Sequence, residues 1–160
     1  MSRTIRTFLP ISGEPATAIA AFLDDPARWL PGARHTGPDR WELVVGAGGV
    51  ERPVEVTIGS PWNLGGTWWR SLSWSPLPDV RDPVAVERLL PVLDAELGVA
   101  SAGGRLTLVL DGRYQPPGGR MGDAIDAVAL RRIAQRTLDR LLAEIAVLLA
   151  EPVAVDQPAR

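Results

Sequence analysis

The chain contains no cysteine and no lysine. Without cysteine there is no disulfide framework and no thiolate to hold zinc or an iron–sulfur cluster. Without lysine, Schiff-base chemistry and a phosphate-binding P-loop are excluded. All seventeen basic residues are therefore arginine, a bias that reads as coding preference. The single histidine, His35, rules out any site built from paired histidines. It sits in a predicted loop beside Thr36 and Gly37, where solvent exposure is the expectation. No run approaches the ~20 apolar residues of a membrane span. The most apolar stretch, LLAEIAVLLA (141–150), is interrupted by Glu144. The opening MSRTIRTFLPISGEP lacks the apolar segment of a secretory signal, so a cytoplasmic location is expected. A net charge of −2 argues against nucleic acid as a partner, because such binding needs a basic face. No serine stands in a G-x-S-x-G setting, and GSPWN (59–63) reads as a turn. GAGGVE is not a dinucleotide loop, since a strand rather than a helix follows it.

What is present fits one domain. A chain of 160 residues with 46% apolar residues can bury roughly 70% of its unfolded surface. RTIRTFLPI (3–11) reads as a first strand, rich in β-branched residues. EPATAIAAFLDDPARWLPG (14–32) follows as a short helical pair, with Ser12 as the expected N-cap and Pro26 ending its first member. Period-two patterning then predicts strands over 39–46, 52–59, 66–74, 89–99 and 104–114, joined by glycine-rich turns. Short turns between successive strands predict an antiparallel meander. From about Arg120 to Ala150 the apolar spacing turns helical, and its apolar stripe needs the sheet as cover. Arg132, Arg136 and Arg140 form an i,i+4 row expected to face solvent, with Asp139 and Glu144 as partial relief. The fold class is therefore α+β: a curved antiparallel sheet wrapped around a long C-terminal helix, with a domain over 1–150 and a tail over 151–160.

LTLVLDGRYQPPGG followed by RRIAQRTLDRLLAEIA, with RLLPVLDAELGV before them, resembles the SRPBCC superfamily. These helix-grip proteins include START lipid-transfer domains, pollen-allergen-like proteins and polyketide cyclase/dehydratases. The element order agrees from about residue 3 to 150. The resemblance implies an elongated, mostly apolar cavity between the concave sheet and the long helix. It implies no cofactor, and its superfamily hosts carriers, receptors and enzymes alike.

The candidate residues come from strand phase. In TWWRSLSW (67–74), Trp68, Arg70, Leu72 and Trp74 share one face, which the apolar content predicts to point inward. Trp69 falls on the outer face. Trp68 and Trp74 are expected to fill core or to line the cavity. An inward guanidinium needs a partner. Glu42, Glu55, Asp94, Glu96 and Asp111 are all out of phase, so Asp123 and Asp126 are the expected internal partners of Arg70. The alternatives are that Arg70 snorkels to water or anchors an anionic or carbonyl group of a ligand. Tyr114 is in phase with Leu106, Leu108 and Leu110, and is expected either to fix the QPPGG turn or to hydrogen-bond a ligand.

The expected function is binding or transport of a small hydrophobic, lipid- or polyketide-like molecule, by a monomer or homodimer without stable membrane insertion. The expected cavity lining is Trp41, Val56, Trp68, Arg70, Trp74, Leu108, Tyr114, Met121 and Ile125, with no metal. A cyclase/dehydratase-like enzyme is the alternative, with Arg70 polarising a carbonyl and Tyr114 as proton donor. A protein-interaction module using Trp69 and the arginine row is the third reading.

Overall fold

The computed structural model describes residues 3–47, 50–78, 92–115 and 124–151, without the side chains of 3, 47, 50, 124–131 and 133. Strand β1 (Arg3–Ile11) turns Ile5 and Ile11 inward and Arg6 and Phe8 outward. Helix α1 (Pro15–Leu23) follows, burying Ala18, Ala21 and Phe22. Its N-cap is Glu14 rather than Ser12. Gly13 intervenes with a left-handed φ of 118°, and a Cβ there would lie 3.2 Å from the Ala150 carbonyl oxygen. The chain thus turns tightly against the end of the last helix before α1 can begin. After α1, Asp25 accepts from the Ala27 amide at 2.9 Å and caps a 3-10 turn over Pro26–Arg28.

The remaining elements are β2 (Arg34–Gly37), β3 (Arg40–Ala47), β4 (Val50–Ile58), β5 (Trp62–Leu64), β6 (Thr67–Pro76), β7 (Val92–Ala102), β8 (Arg105–Gln115) and helix α2 (Ala124–Ala150). The five strands predicted after α1 appear as β3, β4, β6, β7 and β8. β2 and β5 do not follow from pattern: His35 lies in a strand, and Trp62–Leu64 occupies the predicted turn over 59–63. With four and three residues, neither is long enough for alternation to register. The predicted start of the fourth strand at Leu89 lies outside the described residues.

All pairings are antiparallel, in the order β1-β8-β7-β6-β4-β3-β2, with β5 added beside β6. The sheet is therefore not a plain meander. β1 crosses to pair with β8 over its full length, from Arg3↔Tyr114 to Ile11↔Leu106. The segment carrying α1 bridges from β1 at one edge to β2 at the other. The tight hairpins use glycine pairs at positive φ, Gly65–Gly66 before β6 and Gly103–Gly104 before β8.

α2 runs roughly 40 Å at 1.5 Å per residue. It packs against β1, β3 and α1. Leu138, Leu141, Leu142, Ile145 and Leu149 recur at helical spacing and enter the same core as the inward side chains of the sheet. Arg132, Arg136 and Arg140 face solvent, with Arg140 paired to Glu144 at 2.9 Å. Asp139 accepts from Gln135 rather than from an arginine.

Candidate ligand site along the last helix

The inward phase of β6 is as predicted. Arg70, Leu72 and Trp74 are buried, and Trp68 is half-buried against the core. The register places Trp41, Val56, Trp74, Leu93 and Tyr114 side by side across β3, β4, β6, β7 and β8. With Leu108 they form part of one packed cluster. Met121 lies outside the described residues. Ile125 lies in α2, where its side chain is not described.

Arg70 neither snorkels nor depends on a carboxylate partner. It is 6% exposed. Its Nε donates to the Phe22 carbonyl at 3.0 Å, and its Nη2 to those of Leu23 and Asp24 at 2.9 and 3.0 Å. Its Nη1 donates to the Gly59 carbonyl at 3.0 Å. A helix leaves its last carbonyls unsatisfied and carries partial negative charge at that end. Arg70 meets both demands for α1 and ties it to β6 and the β4–β5 connection. Burial holds the guanidinium below an arginine's ordinary pKa, while Asp24 and Asp25 pull it back up. The Phe22 ring lies beneath it, 5.8 Å from the guanidinium carbon to the ring centroid.

Arg70 and Tyr114 do not converge on one reacting carbonyl. Trp74 and Tyr114 share a register row, and Arg70 lies four residues along from Trp74. That is roughly 13 Å along the strands and roughly 10 Å across them. Arg70 lines a recess of about 370 Å³ with His35, Asp25 and Asp39, and Tyr114 is not part of it.

Trp69 gains a structural reason on the outer face. Its ring covers Gly98 of β7, where a Cβ would come 2.6 Å from its Cε3. Its centroid is 6.0 Å from that of Trp62 in a stacked arrangement. Only glycine at 98 lets the indole lie down on the sheet.

Space of ligand size opens on the flank of α2. One recess, about 500 Å³, is lined by Pro31, Gly32, Ala143, Val147 and Leu148 together with the charged Arg140 and Glu144. A second, about 370 Å³, shares Pro31, Gly32, Arg140 and Glu144 with the first. It continues to Val44–Gly46, Glu51, Thr137 and Leu141, so its floor reaches the core through Val45 and Leu141. Pattern reading missed both recesses. The one signal in the sequence was Val147, an apolar residue off the buried stripe and 59% exposed.

Among the described residues no helix is long and apolar enough to cross a membrane, and no cluster of three or more His, Asp or Glu could hold a metal. No family model and no curated protein matches the sequence. Solved structures match the fold. Protein Ms6760 from Mycobacterium smegmatis aligns over 98% of this chain and 92% of its own, at 15% identity and a TM-score of 0.51. Ara h 8.0201 aligns over 94% of this chain and 100% of its own, at 12% identity and a TM-score of 0.51. At such identities the likeness concerns the backbone alone. With the antiparallel sheet curved around α2 and the short helix after β1, the chain has the helix-grip fold.

Proposed function

We propose that the protein binds a small hydrophobic molecule in the seam between α2 and the Pro31–Gly32 segment. The observation that carries this reading is the 500 Å³ recess lined by Pro31, Ala143, Val147 and Leu148. Its size falls in the range of small-molecule sites, which are mostly apolar with a few polar groups at the edge. Burying an apolar body there gains about 25 cal/mol per Å². The separation of Arg70 from Tyr114 favours binding over cyclisation, because these two groups are not poised together to polarise a carbonyl and move its proton.

Native mass spectrometry of the purified protein tests this. A retained apolar molecule is the expected result, together with saturable uptake of a neutral alkyl probe. Val147→Asp puts a charge at the mouth of the recess on an exposed helix position, so folding should survive. Probe affinity should fall at least about tenfold, or ~1.4 kcal/mol. No retained molecule and no uptake of a neutral apolar probe would remove the reading.

A further inference from the structure

We infer that the molecule taken by this seam is a cationic amphiphile, an apolar body carrying an ammonium-type headgroup. The assignment rests on the binding reading above and concerns the chemistry of the ligand. The two recesses share two ionisable side chains, Arg140 and Glu144, and the second recess adds Glu51. Arg140 Nε lies 2.9 Å from Glu144 Oε1, and its Nη1 lies 3.6 Å from Glu51 Oε1. Two carboxylates thus converge on one guanidinium from different elements, Glu51 on β4 and Glu144 on α2. Among the described residues that line the two recesses, one negative charge is left over. Arg52, the next residue along β4, donates to the Glu51 carbonyl and does not line the cleft. All three side chains of the cluster are more than two-fifths exposed, so a headgroup reaches them without unfolding anything.

A ligand with its body against Val147 and Leu148 lies beside Arg140 and Glu144, which line both recesses, with Glu51 in the adjoining one. A cationic head completes the charge balance. It can take Glu51, whose contact with Arg140 is the longer of the two, and leave the Arg140–Glu144 pair in place. An anionic head meets two carboxylates and competes for an arginine already engaged by both. A neutral head gains neither attraction nor repulsion of full charges.

Isothermal titration with three probes sharing a ten-carbon chain separates these cases: decylammonium, decanol and decanoate, each below its micelle concentration. Decylammonium is expected to bind about tenfold tighter than decanol, and decanoate weaker than both, with the spread narrowing as salt is raised. The double variant Glu51→Gln, Glu144→Gln, checked for native circular dichroism, should bring decylammonium to the affinity of decanol. Equal binding of all three probes, or a preference for decanoate, overturns the cationic assignment while leaving the hydrophobic site standing. Binding of none of the three overturns the site itself and this inference with it. A wild-type preference for decylammonium that survives in the double variant also overturns it, because the attraction would then lie elsewhere.

Discussion

Arg70 shows how far strand phase can be trusted for a single side chain. Alternation placed it inward, and it is inward. What alternation could not supply was the partner. The acceptors are main-chain carbonyls of Phe22, Leu23, Asp24 and Gly59, and a carbonyl leaves no mark on the sequence. A search confined to acidic side chains therefore pointed to Asp123 and Asp126, both outside the described side chains. The arrangement has a measurable consequence. Arg70→Met keeps an unbranched apolar stem but strands four carbonyls and removes a charge from the end of α1. A buried group left without its partner costs ~1–3 kcal/mol each. Relaxation and water will recover part of this, so roughly 3–5 kcal/mol is expected, a large share of a typical domain's stability. Arg70→Lys retains the charge but cannot fork across four acceptors, and should cost less, roughly 2 kcal/mol. Urea denaturation checks both, and a loss under about 1 kcal/mol for Arg70→Met would show that the four bonds do not hold α1. Trp69 belongs to the same lesson. Its place above Gly98 depends on a residue 29 positions away that has no side chain to announce the contact.

At the scale of elements, legibility followed length. α2 and the strands from eight to eleven residues carry several periods of pattern, and each was readable to within a few residues. β2 and β5 carry two at most, and their residues are mostly exposed, so no face distinguishes itself. The seam beside α2 was illegible for a different reason. It arises where Pro31 and Gly32 leave a gap against the helix flank, and gaps are properties of packing rather than of periodicity. α2 is nonetheless held by its buried stripe, and two positions on it make the contrast testable. Ile145 is fully buried, and Val147, two residues on, faces out at 59% exposure. Ile145→Ala should cost about 2–5 kcal/mol through lost transfer energy and an unfilled cavity. Val147→Ala should stay within about 0.5 kcal/mol, as exposed substitutions do. If the two variants melted alike, α2 would not be anchored by the face assigned to it.

For the molecule as a whole, the resemblance gave the fold class, and the patterns gave antiparallel strands and a covering helix. Strand order did not follow, because pairing β1 with β8 joins residues about a hundred positions apart, and local turns say nothing about it. The sheet and α2 share one core that runs from Ile5 to Leu149. Charge contributes little by comparison. The ion pairs are at the surface, including Arg6–Asp111, Arg28–Asp24, Arg34–Glu42 and the Arg140 pairs. Exposed pairs of this kind contribute little to stability and are screened by salt. The same screening relieves the repulsion along Arg132, Arg136 and Arg140, so the two effects oppose one another. The buried charge, Arg70, is held by carbonyl dipoles at 2.9–3.0 Å inside the protein, where counterions do not reach. Raising sodium chloride from about 0.05 M to about 0.5 M shortens the screening length from roughly 14 Å to roughly 4 Å. Urea-denaturation stability should nevertheless change by less than about 1 kcal/mol, while the preference for decylammonium over decanoate declines over the same range. A loss of 2 kcal/mol or more in that titration would mean that surface charge, more than the apolar core, holds this sheet closed around its helix.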